Sequence, residues 1–225
     1  MLNGHGDDAY KYTDIQLNFS SNVYNHFDHE GLLADELDRV VSYPEPLPTQ
    51  LQHELAGLLG LNDHEVLVTN GATEAIYLIA QTFRRGKTAI LVPAFQEYAD
   101  ACRLHEHQVC SIHRLEELPR QANMMWICCP SNPTGMVIPK QELTDCIEKH
   151  PDVLFVLDAS YAPFTLQPLL TASEAVRYPN VIMLHSMTKE YAIPGLRLGY
   201  TTACQTLTER LTLQRMPWSV NQAAI

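Results

Sequence analysis

The feature that most constrains the fold is an alternation of short apolar runs with helical patterns. Runs rich in β-branched and aromatic residues occur at 65–69, 88–93, 124–130, 153–159, 181–186 and 199–203. Helical patterns lie between most of them, at 73–83, 97–107, 140–150 and 172–178, and an amphipathic helix ended by Gly60 is predicted over 47–60. Continuous apolar runs are typical of strands buried on both faces. We therefore predict an α/β fold with a mainly parallel sheet, and functional residues just after the strands.

Composition limits the class of protein. The 225 residues include 15 basic and 26 acidic side chains, and the net charge of −11 disfavours nucleic acid or an anionic membrane as the main partner. The apolar runs are too short to span a bilayer, and because the N-terminal residues are polar we expect no signal peptide there. Six cysteines without a C-x-x-C pair favour a reducing cytoplasm. No metal site is predicted, because no common ligand spacing fits His105, His107 and His113.

Polar residues follow the predicted strands. In NGAT, Gly71 allows a tight turn and the N–H groups of Ala72 and Thr73 open a helix. That turn suits a phosphate, or is an ordinary turn capped by threonine. In SNPTG, a rigid turn aims the Asn132 amide at a ligand oxygen, or forms a plain loop. Asp158 ends an apolar strand, where a carboxylate needs a partner: either a protonated ring nitrogen or a helix N-terminus that it caps.

A lysine with unusual neighbours follows another strand, in SMTKEYAIPGLRLGY. Ser186 and Thr188 offer hydroxyl groups beside Lys189, and the Arg197 guanidinium suits a phosphate. This setting favours covalent catalysis by Lys189, although a surface lysine beside a structural arginine is the alternative. Together, a phosphate cradle, an aspartate for a ring nitrogen, an amide for a ring oxygen and a nucleophilic lysine are the parts that hold pyridoxal phosphate.

The motifs resemble those of the fold-type I pyridoxal-phosphate enzymes, in the class I/II aminotransferase family. The matching order is NG-x-TE, P-x-F-x-EY, NPTG, D-x-x-Y, S-x-TK and an arginine eight residues after the lysine, as in the histidinol-phosphate aminotransferase branch. Five segments are most similar to the threonine-phosphate decarboxylases of cobalamin biosynthesis: SMTKEYAIPGLRLGY, RMPWSVNQAA, GHG, NFSSN and SYPEP. The resemblance implies a seven-stranded-type sheet flanked by helices. It also implies an N-terminal arm that lines the substrate site over 1–45 and a cofactor-binding large domain over 46–225.

The resemblance implies a role for each site residue. Lys189 would hold the cofactor covalently, and Asp158 would pair with its pyridine nitrogen. Asn132 and Tyr161 would hydrogen-bond the ring hydroxyl, while Tyr98 would stack on the ring. The cofactor phosphate would be held by Ala72, Thr73, Ser186, Thr188 and Arg197. The substrate would be lined by His5, Gly6, Asn22 and Asn132. A homodimer is implied, in which the partner's cofactor phosphate is reached by Tyr43.

Two reactions fit these parts. One is the decarboxylation of O-phospho-L-threonine to (R)-1-amino-2-propanol phosphate, and the other is the transamination of histidinol phosphate or an aromatic amino acid. The decarboxylases commonly have an acidic residue directly after the aspartate and phenylalanine in place of Tyr161, whereas this chain has DASY as in the aminotransferases. The chain stops at NQAAI, where the family continues into a small C-terminal domain, so we expect a truncated chain. A non-catalytic binding module with the same fold is a third alternative.

Overall fold

One seven-stranded sheet forms the centre of the fold in the computed structural model, which describes residues 9–24 and 41–225. Its strands are β1 Val66–Thr69, β2 Lys87–Leu91, β3 Gln108–Ile112, β4 Met124–Cys128, β5 Leu154–Asp158, β6 Val181–Ser186 and β7 Gly199–Ala203. Their spatial order is β1-β7-β6-β5-β4-β2-β3. β7 runs antiparallel to β1 and β6, whereas the other neighbouring pairs are parallel. The predicted mainly parallel sheet is confirmed.

Helices cover both faces of this sheet. They are α1 Thr49–Leu59, α2 Gly71–Thr82, α3 Glu97–Leu104, α4 Lys140–Lys149, α5 Ala172–Ala175, α6 Met187–Glu190 and α7 Gln205–Thr212. Side chains of β4 alternate between the faces: Met125 and Ile127 join the apolar cluster that includes α4 and α5, whereas Met124 and Trp126 join the cluster of α2, α3 and α7. No helix in the described ranges is long and apolar enough to cross a bilayer.

Three elements were missing from the sequence prediction: the four-residue helix α6, the strand β3 and the helix α7. β3 is an edge strand with mostly exposed side chains, so it lacks the continuous apolar run that marks the buried strands. α7 is a largely polar helix that buries three side chains against the sheet, and its pattern is correspondingly weak. Two predicted helices are shorter than expected. α3 ends at Leu104 before Glu106, whose φ of 65° is not helical, and α5 spans four residues.

The sheet brings several loop ends to one edge. Thr69, Gly199 and Ser186 lie in register across β1, β7 and β6. Gly199 also allows α2 to begin directly against β7, because a Cβ atom there would lie 2.6 Å from the Ala72 nitrogen and 2.8 Å from the Gly71 carbonyl carbon. The N-terminus of α2 therefore lies beside the start of α6, where Lys189 is located.

Candidate active site

A cleft of about 640 Å³ opens at this edge of the sheet. Eleven of the predicted site residues line it, although they come from seven separate segments of the chain: Asn22, Ala72, Thr73, Tyr98, Asn132, Asp158, Tyr161, Ser186, Thr188, Lys189 and Arg197. The cleft is also lined by residues to which the sequence analysis assigned no role, among them Phe19, Phe95, Ser160 and Pro194. The expectation that functional residues follow the strands thus identified the correct loops, but not every residue of those loops that lines the cleft.

Three predicted residues are not seen in this cleft. His5 and Gly6 lie outside the described residues, so their roles stay predictions. Tyr43 is described but does not line the cleft of its own chain. Its side chain is 88% exposed, and its ring lies 5.8 Å from that of Trp218. A contact between Tyr43 and a second subunit stays a prediction.

One part of the cleft is built to hold an anion. A Cβ atom at Gly71 would lie 2.7 Å from Nη2 of Arg197, so the missing side chain leaves room for the guanidinium over the first turn of α2. Arg197 Nη1 donates to the Pro194 carbonyl at 3.0 Å, which fixes the direction of the side chain. The first N–H groups of a helix have no partner within the helix. A guanidinium and a helix N-terminus therefore meet here, as phosphate binding requires.

Lys189 and two hydroxyl groups lie next to this anion site. Ser186 Oγ and Thr188 Oγ1 are 2.9 Å apart, at the end of β6 and in the first turn of α6. Thr188 is buried, whereas Lys189 is half-buried on the cleft. The Lys189 carbonyl accepts a hydrogen bond of 2.9 Å from the Tyr24 N–H. The N-terminal segment is therefore attached to the lysine's own turn, and it adds Asn22 to the cleft.

The Asp158 carboxylate is buried at the end of β5. Ser160 N–H donates to Oδ1 at 2.9 Å, and the Tyr98 hydroxyl donates to Oδ2 at 2.5 Å. Burial raises the pKa of the Asp158 carboxyl, while these hydrogen bonds and the charge of Lys189 act to lower it. A carboxylate in this setting is stabilised by a cation in the cleft, and a protonated ring nitrogen is such a cation.

The Tyr161 hydroxyl receives two amide donors. Asn22 Nδ2 donates to it at short range, and Asn132 Nδ2 donates at 3.3 Å. Burial raises the pKa of Tyr161 to about 12, so its hydroxyl keeps its proton and can donate to a ligand oxygen. Asn132 and Tyr161 are thus brought together, as their predicted common role at a ring hydroxyl requires.

Two aromatic side chains border the cleft, and their settings differ. Tyr98 is 1% exposed, and its ring is stacked on Trp126 with the centroids 5.0 Å apart and the planes at 14°. Phe95 is partly exposed and packs edge-on against Tyr98, with the centroids 5.9 Å apart. Stacking on a ligand is the role predicted for Tyr98, but Phe95 offers the more accessible ring. The motif P-x-F-x-EY contains both residues, and packing alone distinguishes them.

The donor set fits pyridoxal phosphate. A helix N-terminus and a guanidinium suit the phosphate, and a buried carboxylate suits the pyridine nitrogen. A tyrosine and an amide suit the ring hydroxyl, and a lysine suits covalent attachment of the cofactor. Within 9–24 and 41–225, no group of three or more His, Cys, Asp or Glu side chains is arranged to hold a metal ion. The fold and the cleft thus define the large domain of a fold-type I pyridoxal-phosphate enzyme.

The chain belongs to the aminotransferase class I and II family, whose model matches residues 14–224. A histidinol-phosphate aminotransferase of Geobacillus sp. (strain WCH70) is 29% identical over 209 residues, which cover 84% of this chain and 56% of that protein. The threonine-phosphate decarboxylase of Salmonella typhimurium (strain LT2) is 31% identical over 211 residues, which cover 85% and 57%. The chain therefore spans a little over half the length of these curated relatives.

Solved structures give the same family. The L-threonine-O-3-phosphate decarboxylase from Porphyromonas gingivalis superposes with a TM-score of 0.87 at 35% identity, over 91% of this chain and 69% of that one. A histidinol-phosphate aminotransferase from Sinorhizobium meliloti, solved in complex with pyridoxal-5'-phosphate, has a TM-score of 0.84 over 91% of this chain and 60% of its own. At 18% identity, it supports the fold alone. The predicted family, fold class and cofactor are confirmed.

Proposed function

We propose that this protein decarboxylates O-phospho-L-threonine to (R)-1-amino-2-propanol phosphate, a reaction of cobalamin biosynthesis. The observation that carries the proposal is its 35% identity and TM-score of 0.87 to the Porphyromonas gingivalis decarboxylase. Among curated relatives, the Salmonella decarboxylase at 31% and the Geobacillus aminotransferase at 29% are similarly distant. The reaction therefore needs a direct assay.

Two residues carry the chemistry in this proposal. Pyridoxal phosphate, when bound, supplies the electron sink for the electron pair left on the substrate's Cα. Asp158 would pair with the pyridine nitrogen and keep it protonated, which would strengthen that sink. Lys189 would hold the cofactor covalently, and its amine would be the group that supplies a proton to the substrate's Cα.

The other cleft residues bind and orient in this proposal. Asn132 and Tyr161 hydrogen-bond the ring hydroxyl, and Phe95 covers a face of the ring. The cofactor phosphate is held by Ala72, Thr73, Ser186, Thr188 and Arg197. The substrate is contacted by His5, Gly6, Asn22 and Asn132. All of these residues except His5 and Gly6 line the same cleft, which supports their roles. The roles of His5 and Gly6 are supported by the GHG motif alone.

We further propose a homodimer in which Tyr43 reaches the cofactor phosphate of the partner subunit. Tyr43 and Trp218 expose 88% and 50% of their surfaces and lie side by side. Exposed aromatic side chains of this kind are enriched at protein interfaces.

The six cysteines are all free, which supports the cytoplasm as the compartment.

The reaction is tested on the full natural protein that carries this sequence. It is incubated with pyridoxal phosphate and O-phospho-L-threonine, with and without a 2-oxo acid, and carbon dioxide and the amine are measured. The proposal predicts release of carbon dioxide without a 2-oxo acid, and its loss in Lys189→Ala. Amine transfer that requires the 2-oxo acid, without release of carbon dioxide, would overturn it.

The second candidate is an aminotransferase of histidinol phosphate or an aromatic amino acid. The observation that favours it is Tyr161, whose hydroxyl bonds with Asn132 and Asn22, at the position where the decarboxylases commonly have phenylalanine. Lys189 would then move a proton from the substrate's Cα to the cofactor. If the full protein binds the cofactor but catalyses neither reaction, it is a non-catalytic binding module.

A further inference from the structure

We infer that Tyr98 is a positioning residue for Asp158, whose carboxylate it keeps ionised and fixed in direction through a buried hydrogen bond. This inference rests on the proposed pyridoxal-phosphate site, in which Asp158 faces the pyridine nitrogen. It assigns Tyr98 a role different from stacking on the ring. The stacking surface then falls to Phe95, three residues earlier in the chain.

The hydrogen bond is short and excluded from water. The Tyr98 hydroxyl lies 2.5 Å from Asp158 Oδ2, and the two residues are 1% and 5% exposed. This distance is typical of an O–H donor to a charged carboxylate. The Ser160 N–H holds the other oxygen, Oδ1, at 2.9 Å. Because both carboxylate oxygens have a donor, the plane of the carboxylate is fixed.

The surroundings of Tyr98 hold its hydroxyl in place. One face of the ring is stacked on Trp126, which is itself fully buried in β4, and Phe95 packs on its edge. Tyr98 is also in the first turn of α3, so its backbone is part of a regular element. The side chain therefore cannot turn its face toward a ligand without breaking both the stack and the hydrogen bond.

Four other groups near Asp158 complete its electrostatic setting. Burial raises the pKa of the Cys128 thiol on β4 to about 12, and that of Tyr161 to about 12. Burial likewise raises the pKa of Tyr98 well above its usual range. These three groups are therefore neutral at neutral pH, and Lys189 acts on Asp158 as a cation. Burial opposes the ionised carboxylate, so each hydrogen-bond donor matters to its charge state.

Removal of the Tyr98 hydroxyl has a defined consequence. The carboxylate loses the Tyr98 donor, while burial and the hydrogen bonds from the Ser160 side chain and backbone remain, so the pKa of Asp158 rises further. Only the ionised carboxylate pairs with the protonated pyridine nitrogen. The pH below which cofactor binding weakens should therefore move upward in Tyr98→Phe. A hydrogen bond to a charged group is worth about 1.5–3 kcal/mol, so we expect affinity for pyridoxal phosphate to fall about tenfold or more below neutral pH.

The chain offers a matched control for this change. Tyr77 donates a 2.7 Å hydrogen bond to Glu97 Oε2, so it is a second tyrosine that holds a buried carboxylate. Neither Tyr77 nor Glu97 lines the cleft. Tyr77→Phe thus removes the same kind of bond as Tyr98→Phe, from a carboxylate with no role in the site.

The test measures affinity for pyridoxal phosphate from pH 5 to pH 9, and the pKa of Asp158 in the cofactor-free protein by carbon-13 NMR. We expect Tyr98→Phe to raise the pKa of Asp158 and to move the acid limb of binding to higher pH by about one unit. Tyr77→Phe should leave both unchanged. In an Asp158→Asn background, Tyr98→Phe should change the affinity less than twofold.

Two results would overturn the inference. One is a Tyr98→Phe protein with the wild-type affinity and pH profile, and the other is an equal change in Tyr77→Phe. Failure of the proposed cofactor site is distinguishable, because the wild-type protein would then not bind pyridoxal phosphate at Lys189. Failure of the decarboxylase reaction alone leaves this test unchanged, because it measures cofactor binding and the pKa of Asp158 rather than turnover. If Tyr98→Phe does not fold, the wild-type protein still decides by proton NMR. The buried Tyr98 hydroxyl proton should exchange slowly and shift in step with the titration of Asp158, and the absence of such a signal would contradict the inference.

Discussion

Arg197 and the N-terminus of α2 form the anion site because no Cβ atom stands between them at Gly71. Replacement of Arg197 by methionine keeps much of the side-chain volume and removes the charge. We expect affinity for pyridoxal phosphate to fall about ten- to a hundredfold, because hydrogen bonds to charged groups are worth about 1.5–3 kcal/mol. Affinity for pyridoxal, which lacks the phosphate, should change little. Equal losses for both ligands would contradict the assignment, and Arg120→Met on the exposed surface is the control.

Gly199 gives a second prediction. A Cβ atom there would lie 2.6 Å from the Ala72 nitrogen and 2.8 Å from the His185 carbonyl oxygen, and neither backbone atom can move away freely. Gly199→Ala should destabilise the protein by about 1–3 kcal/mol in chemical unfolding and weaken cofactor binding. Gly57→Ala is the matched control, because its Cβ would contact nothing within 4 Å in α1. An unaffected Gly199→Ala protein would show that α2 does not need this close approach.

The residues that were predictable from sequence are those next to strand ends. Asp158, Asn132 and Lys189 each follow an apolar run, and the geometry of a parallel sheet brings such positions together whatever the side chains around them. The division of roles between Phe95 and Tyr98 was not predictable. It depends on Trp126, whose place beneath Tyr98 follows from packing between β4 and α3 rather than from any local pattern.

At the scale of elements, six strands were recognisable from the sequence. Five of them are largely buried and consist mainly of continuous apolar residues, and the sixth, β7, is rich in β-branched and aromatic residues. The edge strand β3 and the polar helix α7 lack this signal. His107 shows how β3 is nevertheless held in place. Its Nε2–H donates to the Ala80 carbonyl of α2 at 2.8 Å, and its Nδ1 accepts from the Thr88 hydroxyl of β2 at 2.7 Å.

This arrangement predicts a pH dependence of stability. Burial lowers the pKa of His107, because the charged ring is poorly solvated and could no longer accept from Thr88. Its folded pKa is below the unfolded value of about 6.5, so its contribution is complete above pH 6.5 and is lost as pH falls toward the folded pKa. Unfolding free energy should fall by at most about 1.4 kcal/mol per pH unit from this group. In His107→Gln, the unfolding free energy from urea titrations should fall less steeply between pH 6.5 and pH 5 than in the wild-type protein. The same dependence on pH in both proteins would contradict this.

At the scale of the whole molecule, a chain with a net charge of −11 repels anionic ligands in general, so capture of a phosphate depends on the local site. The proposed dimer would complete that site with Tyr43. Mixing provides a test: Tyr43→Ala and Lys189→Ala homodimers should each bind the cofactor weakly. Mixed dimers of the two variants would contain one native site and should regain tight binding at one cofactor per dimer.

If mixing leaves the affinity unchanged while mixed dimers form, Tyr43 does not serve the partner's site. The control is a mixture of two other proteins. One carries both Tyr43→Ala and Lys189→Ala in the same chain, and the other carries Lys189→Ala alone. That pair contains no native lysine in either site, so it should regain nothing.

The central claim is that Lys189 holds pyridoxal phosphate covalently, and the most direct measurement is to locate the bound cofactor. The loaded protein is reduced with borohydride, digested and mapped by mass spectrometry, which fixes the cofactor on the lysine that carries it. The chain has five lysines, Lys11, Lys87, Lys140, Lys149 and Lys189. We predict one reduced cofactor label per chain, on the peptide that contains Lys189. The corresponding peptide of the Lys189→Ala protein should carry no label. A label on another lysine, or no label on a protein loaded with the cofactor, would contradict the account.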